Sequence, residues 1–291
     1  MQTIDLDAYF GRIGYDGPRE ATRDVLSALQ LAHPGAIPFE GLDPLLGRPV
    51  ALDPASLEKK LLRSARGGYC FEQNGVFWRV LTTLGFDVTP LSARVRWMLP
   101  EDAPLGPLTH MLLKVETDDG PVLSDVGFGG QSPTAPLRFE PGLEQATPHG
   151  LYRLTARDDG AFDLQMRLPD RWQTMYRFTL ERRVMADYEL GNWFTSTHPN
   201  STFVNNLMVS RVAGERRLNL LNTDLTIYGP GGAVEERKIE SADELHRLLT
   251  QDFGLDVPRA DALRIFERLP GAVPEVVQPS ELMAPRPTSL T

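Results

Sequence analysis

The apolar residues of this 291-residue chain switch period at Gly85. N-terminal to it they recur every three or four positions, the spacing of helices; beyond it, to about residue 180, they alternate, the spacing of half-buried strands. Asp5 caps a short helix through Phe10. Glu20 to Leu31 forms a second that stops at His33-Pro34-Gly35. Asp53 followed by Pro54 sets an N-cap with proline at the first helical position, opening a helix to about Ala65 that Gly67-Gly68 stops. The next starts near Cys70, buries Val76, Phe77, Val80, Leu81 and Leu84 on one face, and ends at Gly85.

After the switch, Leu91, Ala93, Val95, Trp97 and Leu99 alternate with Ser92, Arg94, Arg96 and Met98 as one strand. His110 to Thr117 and Pro121 to Phe128 join across Asp118-Asp119-Gly120. Leu151 to Arg157 and Phe162 to Leu168 flank Asp158-Asp159-Gly160 as a hairpin, and Trp172 to Leu180 adds another strand. Residues 86–180 therefore predict an antiparallel sheet or small barrel. The last third is mixed. A helix is expected over Glu181 to about Thr197, then strands around Phe203–Val212, Arg217–Leu221, Leu225–Tyr228 and Val234–Ile239. Ser241 to Glu244 is a capping box opening a helix to Phe253, and a short helix covers Asp261 to Leu269. The class is α+β, divided into 1–85, 86–190, 191–275 and an extended Pro-rich tail at 276–291.

With 41% hydrophobic and 24% charged residues the chain can bury a sizeable core. Its net charge of −9 argues against nucleic acid or an anionic membrane as partner. It leaves room for a local basic pocket that takes a phosphorylated cosubstrate. No apolar run reaches membrane-spanning length, and the N-terminus carries no signal-peptide pattern. One free thiol fits a reducing cytoplasm. Oligomeric state, monomer or homo-oligomer, is open.

Cys70 is the only cysteine, so it builds neither a disulfide nor a cysteine metal site. Its chemistry would be that of a nucleophile. It follows two glycines at a helix start, where backbone N–H groups favour negative charge. A thiol nucleophile needs a base and an orienting group. Of five histidines, His33, His149, His198 and His246 fit turns or a surface helix. His110 instead opens an apolar strand, where a sheet edge presents a side chain to a cleft. Asp125 lies inside another apolar strand, and a buried carboxylate needs a partner; Arg94, Arg96, a backbone amide or His110 would serve. By parity His110 and Asp125 share a face. A tight two-residue turn at Asp119-Gly120, however, sets Asp125 opposite Lys114, about 13 Å along the strand from His110 at ~3.3 Å per residue. Contact needs a longer loop, a bulge or another pairing. Gly127 to Thr134 is glycine-rich, which suits a turn or an approach to an anion or acyl group. No metal-ligand spacing occurs.

Together these residues resemble the arylamine N-acetyltransferase family. Arg66-Gly67-Gly68-Tyr69-Cys70-Phe71-Glu72-Gln73-Asn74 resembles its nucleophile motif. Thr109-His110 resembles its histidine motif and Asp125-Val126-Gly127-Phe128-Gly129 its aspartate motif. Ile37-Pro38-Phe39-Glu40-Gly41-Leu42 is similar to its N-terminal signature, with Gly41 where the family usually has Asn. His198-Pro199-Asn200-Ser201 to Arg211 resembles a later one.

The resemblance implies a helical bundle, an antiparallel β-barrel and an α/β lid around a cysteine-protease-like core. It implies a catalytic Cys70, His110 and Asp125. It also implies ping-pong acetyl transfer from acetyl-CoA, without a metal, to aromatic amines, hydrazines or N-hydroxyarylamines. Phe39, Val95, Phe203 and Thr109 are the implied substrate contacts. Trp97, Gly129, Gly130, Ser132 and Thr134 are the implied CoA contacts. Arg66 and Glu72 would pair to hold the nucleophile loop. An amide synthase of the same family, a papain-like or transglutaminase-like cysteine enzyme, and a non-enzymatic binder are the alternatives.

Overall fold

The computed structural model describes residues 4–269. The tail expected at 276–291 lies outside the described residues. Helix α1 (Leu6–Ile13) is capped by Asp5, whose carboxylate accepts the Ala8 N–H at 2.9 Å. Helix α2 (Arg23–Ala36) runs through the expected stop at His33-Pro34-Gly35. Proline in the last turn removes one backbone bond only, and His33 anchors that turn from its other side. Its ring is fully buried, with the Tyr9 hydroxyl 3.0 Å from Nδ1 and Gln73 Oε1 2.7 Å from Nε2. Strand β1 (Phe39–Glu40) and the single-turn helices α3 (Leu42–Leu45) and α4 (Pro54–Leu57) follow. A wide π turn, Glu58–Leu62, extends α4. Helix α5 (Cys70–Thr83) completes this part.

The middle of the chain is an eight-stranded sheet of order β5-β4-β3-β2-β9-β8-β7-β6, antiparallel at every pairing. Its strands are β2 (Val88–Val95), β3 (His110–Val115), β4 (Val122–Ser124), β5 (Leu137–Arg138), β6 (Glu144–Thr147), β7 (Gly150–Ala156), β8 (Phe162–Arg167) and β9 (Trp172–Phe178). The sheet curls almost into a barrel. Its two edges are stitched by one side chain: the Gln145 carboxamide accepts from Arg138 N at 2.7 Å and donates to Arg138 O at 3.0 Å.

Strand β2 stops at Val95, four residues short of the expected end. The cause is Arg96, whose buried guanidinium donates to the carbonyls of Pro100, Glu101, Ala103 and Pro104. The loop winds around that cation, and four carbonyls satisfy a charge that the alternation had placed toward solvent.

Helix α6 (Met185–Thr197) starts four residues later than expected. The expected strand at Phe203–Val212 begins instead as helix α7 (Thr202–Asn205), because Ser201 Oγ accepts the Phe203 N–H and the Asn205 amide turns back to Pro199 O and Ser201 O. Strands β10 (Met208–Ala213), β11 (Arg216–Leu221), β12 (Asp224–Tyr228) and β13 (Val234–Lys238) then form a meander. Helix α8 (Ala242–Arg247), a π turn at Leu248–Asp252 and α9 (Arg259–Phe266) cover it. Strand β1 adds to this second sheet beside β10, with Phe39 opposite Ser210 and Glu40 opposite Val209.

Three apolar cores result. One packs the N-terminal helices on β3 and β4, through Phe77, Met111, Leu113, Val115 and Val122. One fills the curled sheet, and one joins Leu42, Leu45 and Leu46 to the C-terminal sheet and helices. The nucleophile helix therefore meets the first sheet directly, while β1 ties the segment before it to the second.

Burial holds His33 neutral, lowering its pKa to about 4 from 6.5; the Gln73 bond opposes this and the charge of Arg12 adds to it. The unfolded chain takes up this proton first. Stability from this group is thus complete above pH 6.5 and declines toward pH 4, by about 3 kcal/mol at most. Urea unfolding between pH 7 and 4.5 should show that decline, and His33→Gln, weaker at pH 7, should lack this component.

Candidate active site

Cys70 is the first residue of α5 and is buried, 3% exposed. The helix starts there because Glu72 Oε2 accepts the Tyr69 N–H at 3.1 Å, while Glu72 N and Gln73 N donate to Tyr69 O. The thiol Sγ sits 3.3 Å from the carbonyl oxygen of Thr109, the residue before His110.

His110 and Asp125 meet. Nε2 lies 2.7 Å from Asp125 Oδ2, with both side chains buried. The register explains how. Val115 pairs with Val122 and Leu113 with Ser124. The connection is thus a six-residue loop rather than the tight turn, and continuing the register brings Asp125 level with Leu112 instead of Lys114. That shift of two residues keeps the face and halves the separation. At ~3.3 Å per residue the remaining offset is about 7 Å, within reach of a diagonal pair.

Burial would discharge this pair, and its bonding reverses that. Burial lowers the His110 pKa, but the charge and hydrogen bond of Asp125, with a hydrogen bond to Cys70, raise it to about 10. Burial likewise would raise Asp125, yet His110, the Asn74 amide and the Gly127 N–H hold it below the ordinary carboxylate value. The result favours a protonated His110 at neutral pH, beside the Asp125 carboxylate. Its ring is walled by Tyr176, centroids 4.8 Å apart, and by the edge-on Phe128 at 5.2 Å.

Asn74 had no assigned role in the sequence reading. It lies one turn beyond Cys70, on the same helix face, which was a usable signal. It is fully buried and every polar atom is engaged. Nδ2 donates to Asp125 Oδ1 at 2.8 Å and Met111 O at 2.7 Å, and Oδ1 accepts the Val126 N–H at 3.0 Å. One amide therefore fixes the nucleophile helix to the histidine strand and the aspartate loop. The approach is close enough that a Cβ on Gly127 would lie 2.6 Å from Asn74 Nδ2 and 2.9 Å from Cys70 Cα.

Arg66 and Glu72 do not pair with each other, contrary to expectation. Glu72 binds Lys60 at 2.7 Å, Lys60 binds Asp43 at 2.6 Å, and Arg66 bridges Asp43 at 3.1 Å and Glu40 at 2.7 Å. These two cations and three carboxylates form a buried chain behind the start of α5. Burial, with the Glu40 charge, pushes Glu72 up to about 7, against the opposing Lys60.

The remaining candidates fall around this centre. Phe39 packs on Phe203, which edges Tyr69 at 5.2 Å. Thr109 is half-buried, whereas Val95 ends β2 exposed. Trp97 stands edge-on to Phe128 at 6.2 Å. Gly129 lies against the Phe39 ring and Gly130 against the Asn219 amide. Ser132 and Thr134 are buried, with Ser132 Oγ accepting the Phe128 N–H and Thr134 Oγ1 bonded to His149. Arg217 clamps the loop by donating to Gly130 O and Ser132 O. Among the described residues no group of three His, Cys, Asp or Glu could hold a metal ion. No helix among them is long and apolar enough to cross a membrane.

An N-acetyltransferase family model matches residues 22–262. The arylamine N-acetyltransferase of Mycobacterium tuberculosis is 47% identical over 257 residues, covering 87% of this chain and 90% of that protein. A Salmonella typhimurium relative, named arylamine N-acetyltransferase / N-hydroxyarylamine O-acetyltransferase, is 44% identical over 256 residues, 88% of this chain and 90% of its own. Among solved structures, the Mycobacterium marinum arylamine N-acetyltransferase in complex with CoA superposes with a TM-score of 0.87 at 42% identity, covering 91% of this chain and 99% of that one.

Two substitutions probe the geometry. Asp125→Asn removes the charge that does most to raise His110 against burial, so an NMR titration should find the imidazole well below 10. Asn74→Ala strips a donor from Asp125 and orphans Met111 O and Val126 N. Urea unfolding should register a loss of about 3 kcal/mol.

Proposed function

The chain belongs to the arylamine N-acetyltransferase family, and we propose that it transfers acetyl groups from acetyl-CoA to aromatic amines, hydrazines or N-hydroxyarylamines through an acetyl-Cys70 intermediate. The observation that carries this is the buried set in which His110 bonds Asp125 at 2.7 Å while the Cys70 sulfur lies 3.3 Å from the carbonyl of the preceding residue, Thr109. The names of the relatives, and the CoA held by one of them, support the substrates.

In the first half-reaction His110 holds the proton that leaves sulfur. Sγ attacks the thioester carbonyl carbon, and the positive end of α5 favours the oxyanion that forms. The bond to CoA sulfur breaks, and His110 returns its proton to the departing thiolate. In the second half the amine nitrogen attacks the acetyl-cysteine carbonyl. His110, now neutral, takes the N–H proton, and the bond to Sγ breaks. Asp125 keeps Nε2 protonated, turns Nδ1 toward the sulfur and stabilises the imidazolium. Phe39 and Phe203 supply apolar wall for a flat acceptor. The Gly129–Thr134 loop, held by Arg217, is our assignment for CoA contact, with Trp97 beside it. The lone reduced thiol suits a cytoplasmic setting.

Single-turnover incubation with acetyl-CoA should add one acetyl group, mapped to Cys70 by mass spectrometry. Addition of an aromatic amine should discharge it. Cys70→Ala should abolish both. Wild-type protein that stays unacetylated would sink the reading.

A further inference from the structure

The Phe203 ring occupies the space that a side chain at position 41 would need. A Cβ built on Gly41 would stand 2.7 Å from Phe203 Cδ1, with no other atom outside that ring among its three nearest. The backbone at Gly41, φ −116° and ψ 33°, lies on the negative-φ side that alanine also adopts. Its N–H donates to Met208 O and its carbonyl accepts from Leu45 N, bonds that do not involve the Cα hydrogens. The glycine is therefore required by the ring above it and not by the turn it makes.

That ring packs on the residue before the nucleophile. Phe203 edges Tyr69, the residue before Cys70, and lies 5.9 Å from Phe39. Phe39 in turn shares a small cleft with Val126, Gly129 and Gly130 of the aspartate loop. Phe203 itself is only half-buried, so one side of the ring remains open. Its carrier α7 is short and packs on α3, which begins directly after Gly41, and on α6. The ring is thus seated from below by the absence of a Cβ.

We propose that Gly41 is a specificity-determining position: by letting the Phe203 ring settle onto its Cα, it sets how bulky an aromatic group can reach Cys70. This rests on the acetyl-transfer reading for its substrate class, but the cleft width can be read without that reaction. A methyl group at 41 drives the ring off its seat, toward Tyr69 and Phe39, and narrows the opening. Only the bulkier occupant loses contact space.

The test uses alkylation of Cys70 in the intact chain by iodoacetamide and by an N-naphthyl iodoacetamide, in which the sulfur displaces iodide from either reagent. Gly41→Ala should lower the naphthyl-to-small rate ratio by about tenfold or more, the range that one methyl group commands in a tight apolar site. Gly41→Ala combined with Phe203→Leu, which removes the clashing ring, should restore the ratio. In parallel, the two-ring to one-ring ratio of acceptor kcat/KM should fall alike. An unchanged alkylation ratio in Gly41→Ala, or a loss that Phe203→Leu does not relieve, would overturn the proposal. Wild-type protein that alkylates with the expected ratios but never acetylates would refute the acetyl-transfer reading alone.

Discussion

A fully buried carboxylate organises this molecule. Asp125 has no access to water, and an ionised group so placed is tolerated only when the protein replaces its hydration. Three donors do so: the His110 ring, the Asn74 amide and the Gly127 N–H. Each comes from a different stretch of chain, so satisfying one charge draws together the nucleophile helix, the histidine strand and the loop after β4. The carboxylate then works on the imidazole, whose protonated state at neutral pH follows from that charge. Loss of any donor would weaken the fold and the chemistry together, because the same bonds serve both.

Behind the nucleophile lies a second buried electrostatic unit with a different character. The chain Glu40–Arg66–Asp43–Lys60–Glu72 carries one more negative group than positive, and burial, with the Glu40 charge added, raises the Glu72 pKa to about 7. Its other oxygen accepts the Tyr69 N–H at the first turn of α5. The helix that presents the sulfur is therefore anchored by a buried carboxylate that Lys60 holds from the other side.

The sequence disclosed the parts of the structure that depend on local pattern. Segregated periods give the helices before Gly85 and the antiparallel strands after it, and the parity of His110 and Asp125 places them on one face. What it hid depends on distant residues. The two-residue register shift follows from a six-residue connection that Asp119-Gly120 does not announce. The early end of β2 follows from an arginine that gathers four carbonyls into its own loop. Proline at position 34 signals a stop, yet His33 finds buried partners on Tyr9 and Gln73 that keep the turn wound. Phe203 sits on a helix instead of a strand because Ser201 and Asn205 together close a single turn. The triad residues were legible as types in a pattern; of Asn74, which binds them to one another, only its place one turn beyond Cys70 was legible, since its role exists only once three elements have converged.

The stitch between Arg138 and Gln145 carries a consequence for how copies of this chain behave in company. An unpaired sheet edge invites a strand from a neighbour, the first step toward fibres. Here Arg138 on one margin of the larger sheet spends its backbone N–H and carbonyl on the Gln145 carboxamide of the other. The outer margin of the smaller sheet, β13, is fully exposed but reads Val234-Glu235-Glu236-Arg237-Lys238, four charged side chains in a row that a docking strand would have to strip of water. A protein built to keep one reactive sulfur sheltered thus also keeps its own backbone from becoming a template.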